Sequence, residues 1–194
     1  METKKKEKTK SDITKKIERT SKIYWDLTAA CRENINDLVA AAQLLFDNGF
    51  YSKSFALSYT ALEEMGKDLL VCDYINDIVS DSEFEAGFRD HSLKMAYQHS
   101  NCMLTQDGTV NKIGLPSIKA TIIYDESKYK PWLKERNNSL YVDLDKATKT
   151  IKKPKEEITK EDSEAILQNI LRAIKRTNEL EFLTERIGSK AFYK

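Results

Sequence analysis

The chain has 194 residues, of which 40% are hydrophobic and 32% are charged, and its formal net charge is +1. This length supports one domain with a real core, and the near-zero charge excludes a global electrostatic attraction to nucleic acid or to a membrane surface. Only 6 glycines and 3 prolines are present, too few for the turns of a β-sandwich or barrel, so we expect long helices.

The N-terminal segment indicates a disordered tail and bears on the cellular location of the protein. Residues 1–11 are rich in lysine and contain no apolar residue after Met1, so we expect a disordered tail and a single helical domain over residues 12–194. The charged N-terminus lacks the apolar segment of a signal peptide, and no stretch reaches the roughly 18 apolar residues of a transmembrane helix. We therefore expect a cytoplasmic protein without membrane contact.

Two helices are predicted in the first part of the domain. Spacings of three and four residues place a set of apolar side chains on one face of the first helix: Leu27, Cys31, Ile35, Leu38, Ala42 and Leu45. The DNG sequence at Asp47–Gly49 predicts the end of this helix. A second helix is predicted from about Tyr51 to Val79, and the short connection makes the two helices an antiparallel pair.

A third helix is predicted to begin at Ser80–Phe84, where Ser and Asp can cap it, and to end near Gln106–Gly108. Its buried face is expected to carry Phe84, Phe88, His91, Met95 and Cys102. Residues 108–127 contain the turn-forming residues Gly108, Gly114 and Pro116 together with a β-branched run, which predicts a loop with a short strand or hairpin.

The remaining chain predicts two more helices, a short one around Lys128–Arg136 and a last one that opens at Thr159–Asp162 and runs to about Ile187. Residues 146–155 hold five lysines and no acid; such a run is a solvated linker or, alternatively, a contact for phosphate. The predicted fold is an all-α up-and-down bundle of four to five helices with a loop or short β insertion near 108–127.

The sequence EEMGK in the second helix has two interpretations. Glu63 and Lys67 are spaced i,i+4 at the edge of the apolar face, while Glu64 and Asp68 are predicted to point toward solvent. The pair is either a surface salt bridge or one wall of a polar groove. Gly66 costs about 1 kcal/mol relative to Ala inside a helix, so we expect another helix to approach the chain closely there.

Two further clusters could carry chemistry. His91 falls on the predicted apolar face of the third helix, where it is either a core residue with a satisfied hydrogen bond or a functional group, and Lys94 lies on a neighbouring stripe. The sequence RNNSLYVDL begins at Arg136, whose guanidinium offers a fork matched to phosphate oxygens. No CxxC pair, GxxxxGK[ST] loop or GxGxxG loop occurs, so we expect no metal site and no cofactor.

Three motifs taken together resemble a known family. The segments SKSFALSYTALEEMGKDLL, FRDHSLK and RNNSLYVDL occur in this order and at approximately the spacing found in the AbiV family of bacterial abortive-infection proteins, which belongs to the HEPN superfamily of helical bundles. The resemblance covers roughly residues 30–185, and LEEMGK and the H-x-x-K of His91 and Lys94 are its most specific parts.

The resemblance implies an antiphage protein that dimerises with a second copy and arrests growth or translation when a phage-encoded activator appears. Many HEPN domains are metal-independent endoribonucleases with an R-x(4–6)-H motif. Arg136 and Asn137 match the start of that motif, but Tyr141 stands where its histidine is expected. Either His91 supplies the imidazole, or Tyr141 positions RNA in a protein whose catalysis is slow or absent.

The resemblance thus gives a candidate site and two functions. The catalytic candidates are His91, Arg136, Tyr141 and Lys94, and the candidates for support or RNA binding are Glu63, Lys67, Asn137 and Asp143. The first function is a triggered endoribonuclease. The alternative is a catalytically inert HEPN-like module that blocks translation by contact with RNA or protein. In both, Glu63 and Lys67 are expected to orient His91 or Arg136 rather than to react.

Overall fold

The computed structural model describes residues 21–91, 94–95 and 126–186. The predicted tail over residues 1–11, the predicted insertion near 108–127 up to residue 125, and the predicted end of the last helix at Ile187 lie outside these ranges. Six helices and two strands are assigned in the described part of the chain: α1 Lys22–Asp47, α2 Tyr51–Ile75, α3 Asp81–Arg89, α4 Glu126–Leu140, β1 Asp143–Asp145, β2 Thr150–Lys152, α5 Pro154–Glu157 and α6 Lys160–Arg186. The prediction of an all-α bundle is confirmed.

The core lies around α2, which packs against α1, α3, α4, α5 and α6. Its apolar side chains form one cluster with those of α1, α6 and the segment after Asp90. The most deeply buried members are Ala42, Tyr59, Ala61, Leu62, Met95, Leu167 and Ile170. Because α2 is enclosed on several sides, its buried residues cover much of its circumference rather than one stripe.

The connection between α1 and α2 is closed by a glycine, as the DNG sequence predicts. Gly49 has φ +79°, and the Phe50 N–H donates to the Leu45 carbonyl at 2.9 Å. This is the Schellman arrangement, in which a left-handed residue satisfies the last carbonyls of a helix. Two long helices joined by three residues pack as the expected antiparallel pair.

The second helix is shorter than predicted, because it ends at Ile75 rather than Val79. Asp77 takes the left-handed conformation at φ 61°, and the Ile78 N–H donates to the Asp73 carbonyl at 2.9 Å. The stop is therefore a second Schellman arrangement in which aspartate replaces the usual glycine, so the sequence carried no strong signal for it.

The third helix also differs from the prediction. Ser80 and Glu83 form a capping box at its start, but α3 ends at Arg89 and Asp90 is extended at ψ 119°. A helical turn restarts beyond the break, where the Lys94 N–H donates to the Asp90 carbonyl at 3.2 Å. The predicted continuous helix is therefore wrong at this point, and its predicted end at Gln106–Gly108, with Cys102, lies outside the described residues.

The segment after α4 is a hairpin rather than a linker. The helix predicted around Lys128–Arg136 extends over Glu126–Leu140. Antiparallel strands β1 and β2 follow, with Leu144 opposite Ile151. The last helix opens as predicted, since the Asp162 N–H donates to Thr159 Oγ1 at 3.1 Å and the Asp162 carboxylate accepts from the Thr159 N–H at 3.0 Å.

Candidate functional site

A buried carboxylate on α2 joins two segments that are distant in sequence. Glu63 is only 5% exposed. Its Oε1 and Oε2 both accept from Arg136 Nη1 of α4 at 3.0 Å, and Oε2 also lies 3.0 Å from Nδ1 of His91. The three groups are brought together because α4 packs on α2 and the turn after Asp90 passes along the same face.

His91 is the exposed member of this cluster, with 51% of its side chain accessible. The prediction that it lies on a buried stripe is wrong, because the break at Asp90 changes the helical phase between Phe88 and Met95. The Glu63 carboxylate can only accept, so Nδ1 of the imidazole donates, and in the neutral ring Nε2 then carries the lone pair. The arrangement leaves Nε2 able to accept a proton from a bound molecule.

Arg136 is more enclosed, and an aromatic ring of α2 lies beneath it. The centre of its guanidinium is 5.8 Å from the ring centroid of Tyr59, which stands one turn before Glu63 and is fully buried. Arg136 Nη1 is used by Glu63, whereas Nη2 makes no hydrogen bond to any described residue. Burial raises the pKa of the Tyr59 phenol, and the Glu63 carboxylate raises it further.

Lys94 lies against the same face of α2. Its side chain is buried, and burial lowers the pKa of its ammonium group, while the nearby Glu63 carboxylate opposes that shift. The backbone contact is very close: a Cβ on Gly66 would stand 1.9 Å from the Lys94 carbonyl oxygen. Gly66 is therefore the packing contact that the sequence predicts, and it places Lys94 beside Glu63.

Lys67 does not pair with Glu63. Its ammonium is bound to the Glu64 carboxylate three residues before it, and it also lies 5.6 Å from the ring centroid of Phe88 on α3. Both side chains are largely covered, so the prediction that Glu64 points to solvent is also wrong. The cause is the packing of α1 and α3 over this side of α2. Beneath the pair, burial raises the pKa of Cys31 to about 12, with the Glu64 carboxylate adding to the effect.

Asp68 is likewise buried rather than solvent-exposed. Its Oδ2 accepts from Arg32 Nε of α1 at 3.0 Å. The pair borders a cavity of about 170 Å³ between α1, α2 and α6. This cavity lies on the side of α2 opposite Glu63, since five residues at 100° per residue separate their directions by about 140°.

Three other predicted site residues lie at the end of α4 or in the residues that follow it, outside the hydrogen bonds of the Glu63 cluster. Asn137 and Tyr141 are exposed, and the Tyr141 N–H donates to the Asn137 carbonyl at 3.0 Å. Asp143 accepts from the Leu144 N–H at 2.8 Å in β1. The structure thus joins Glu63, His91 and Arg136. It leaves Asn137, Tyr141 and Asp143 at the periphery of the cluster.

The described ranges hold no group of three or more His, Cys, Asp or Glu side chains that could bind a metal ion. Within the same ranges, no helix is both long and apolar enough to cross a membrane.

Comparison with known proteins decides the family. The family model of the AbiV HEPN proteins matches residues 23–173, which include all three motifs and every member of the Glu63 cluster. The chain belongs to the AbiV family. No curated protein and no solved structure matches it. AbiV is a family of abortive-infection defence, so membership supports that broad role for this chain.

Two features of this AbiV-family chain are not evident from sequence. Tyr59 precedes Glu63 by one turn, a spacing that predicts that the two side chains lie on the same side of α2. The apolar pattern of the helix, however, assigns Tyr59 only to the core. The Arg32–Asp68 pair has no local signal, because its partners are 36 residues apart and meet only when α1 packs on α2.

Proposed function

We propose that this chain is a metal-independent endoribonuclease that arrests growth or translation in an infected cell when a phage-encoded protein triggers it. The observation that carries the proposal is the shared carboxylate of Glu63, which holds His91 by Nδ1 and Arg136 by Nη1. A buried carboxylate that orients an exposed imidazole is a common arrangement for a general base. HEPN proteins commonly dimerise, and we extend that expectation to this chain.

The proposed reaction is the attack of an RNA 2′-hydroxyl on the adjacent phosphate. His91 Nε2 accepts the 2′-hydroxyl proton, and the departing 5′-oxygen takes a proton from water. Arg136 Nη2 neutralises the charge that develops on the phosphate oxygens, and the Lys94 ammonium adds positive charge to the site. The products are a 2′,3′-cyclic phosphate and a 5′-hydroxyl end.

The test uses bacteria that express the full chain and are infected with a phage that triggers arrest. Mapping of RNA ends should show new 5′-hydroxyl ends in the presence of the native chain. His91→Ala should reduce them about 10²- to 10⁴-fold, the usual contribution of a general acid or base. Arg136→Ala should reduce them about 10²- to 10³-fold, the usual contribution of a group that stabilises developing charge. Asp68→Asn is the matched control, because it changes another buried carboxylate of α2 that lies outside the cluster. Undiminished cleavage by both alanine variants would refute the site.

A second function is favoured by Tyr141. This residue replaces the histidine of the HEPN motif, is exposed, and lies outside the hydrogen bonds that join Glu63 to His91 and Arg136, which fits an inert module that blocks translation through RNA or protein contact. Under that alternative, arrest occurs without new RNA ends, and His91→Ala retains it.

A further inference from the structure

The hairpin after α4 exposes an unusual amount of apolar surface. We define the Lys-rich hairpin as residues 141–155. Four large apolar side chains in it are each more than half exposed: Tyr141, Val142, Leu144 and Ile151. Leu144 and Ile151 are directly opposite in the β1–β2 register, so they occupy the same face. Clustered apolar exposure on a soluble domain marks an interaction surface.

The charge of the Lys-rich hairpin indicates an anionic occupant. It contains five lysines and two aspartates. Lys152 is bound to Asp145 at 3.5 Å and Lys153 to Glu156 at 3.0 Å. The other three lysines are exposed and form no ion pair with a described residue: Lys146, Lys149 and Lys155.

One of these lysines is held in an unfavourable backbone conformation. Lys149 has φ 56° at the end of the hairpin turn. The left-handed region favours glycine or asparagine and costs other residues about 1–2 kcal/mol. Strained backbone that persists in a structure is enriched at functional positions. A lysine at this position is therefore consistent with a role for its charge.

The hairpin is also continuous with the Glu63 cluster. Arg136 lies four residues before Leu140, the last residue of α4, which is about 6 Å along the helix axis. Lys53 of α2 fixes this end, because its Nζ donates to the Leu140 carbonyl at 3.0 Å. A polymer bound at Arg136 therefore reaches the hairpin within a short distance.

We infer that the Lys-rich hairpin binds single-stranded RNA beside the cleavage site. Lys146, Lys149 and Lys155 contact phosphates and the exposed Tyr141 ring stacks on a base, as in other single-strand binders. The aliphatic face of Leu144 and Ile151 packs against a neighbouring base. The inference rests on the proposed function, since RNA is its substrate. The hairpin adjoins Arg136, which contacts the substrate phosphate in the proposed function. This proximity favours RNA over an acidic protein, because binding of an acidic protein would not require the hairpin to lie beside Arg136.

The binding experiment uses the native full-length chain and a fluorescent 2′-O-methyl oligouridylate of twelve nucleotides, which lacks the attacking hydroxyl and cannot be cleaved. Anisotropy titrations over a range of salt concentrations give the slope of log affinity against log salt. Replacing Lys146, Lys149 and Lys155 by Gln should reduce that slope by about 2, since each phosphate contact contributes about 0.7. The control replaces Lys22, Lys160 and Lys175 by Gln and should retain the native slope.

Two further variants separate the apolar and strained features. Leu144→Thr combined with Ile151→Thr keeps β propensity and should weaken binding of the oligouridylate about tenfold, but not binding of an abasic oligomer of equal length. Lys149→Gly should weaken RNA binding without lowering the thermal unfolding midpoint, because glycine suits the left-handed backbone.

Several results would overturn the inference: an unchanged salt slope in the triple Gln variant, equal loss with the control lysines, or tighter binding of polyglutamate or phosphatidylserine vesicles than of RNA. The proposed function fails separately. If RNA binds through the hairpin but infected cells show no new RNA ends, the hairpin inference stands and the ribonuclease is refuted. If infected cells show new RNA ends while the hairpin variants bind RNA normally, the ribonuclease proposal stands and the hairpin inference is refuted.

Discussion

Gly66→Ala should destabilise the protein, although alanine is the better helix former. The new Cβ would stand 1.9 Å from the Lys94 carbonyl oxygen, 2.7 Å from its carbon and 3.1 Å from its Cα. A separation of 3.0 Å requires α2 and the Lys94 backbone to move apart by about 1.1 Å. The obstacle is backbone, so no rotamer change relieves it.

The magnitude follows from two opposed effects. Overpacking of a well-packed interior costs about 1–3 kcal/mol, and the backbone clash at Gly66 places this site at or above the upper end. Replacing a mid-helix glycine by alanine returns about 1 kcal/mol. The expected net loss is about 2 kcal/mol of unfolding free energy, which lowers the thermal midpoint of a chain of this size by roughly 4–8 °C.

Urea unfolding measures this loss through the midpoint and the slope. Gly87→Ala in α3 is the matched control, because its Cβ would meet the end of the Leu70 side chain at 2.8 Å. A methyl group can yield by a few tenths of an ångström, so the control should stay within about 0.5 kcal/mol of the native chain. Native or higher stability of Gly66→Ala, with an unchanged slope, would show that the close approach at Lys94 is not present.

Three other changes test the buried groups. Glu63→Gln should lower the unfolding free energy by about 2–3 kcal/mol, because it leaves the mostly buried Arg136 guanidinium without its counter-charge; a loss below about 0.5 kcal/mol in urea unfolding would contradict this. Tyr59→Phe should leave stability unchanged or raise it by about 1 kcal/mol, since the buried Oη has no hydrogen-bond partner among the described residues, whereas Tyr59→Leu, which removes the ring under Arg136, should lower it. Burial raises the pKa of the Cys31 thiol from 9.0 to about 12 in the folded chain, so the folded chain binds more protons than the unfolded chain between these values. Stability should therefore fall by up to about 1.4 kcal/mol per pH unit from pH 9 toward pH 12 and be unaffected below pH 8; an identical alkaline slope in Cys31→Ala would exclude this role.

The sequence predicted what depends on periodicity and local turn chemistry. The apolar spacing predicted α1, α2 and α6, and Gly49 predicted the first turn. The unfavourable helix propensity of Gly66 predicted a close contact with another segment. The family resemblance located Glu63, His91 and Arg136 as candidates, but the roles assigned to them remain predictions.

The errors have a common physical source, which is contact between elements that a single helix does not encode. Asp68 is buried because Arg32 arrives from α1, and Lys67 turns to Glu64 because α1 and α3 cover that side of α2. His91 is exposed because an extended Asp90 resets the helical phase. The hairpin was missed because its turn lacks an Asn-Gly or Asp-Gly signal and its apolar residues are not buried.

The contact of Glu63 with Arg136 spans 73 residues of chain, and this separation affects the timing of biosynthesis. A chain under synthesis emerges from its N-terminus, so α1 and α2 can pair before the residue that completes the cluster has been translated. A ribosome-bound precursor that stops before Arg136 presents Glu63 and His91 without the guanidinium. If the cluster cleaves RNA, the ribosome that makes it is therefore not exposed to an assembled site until most of the chain has been made.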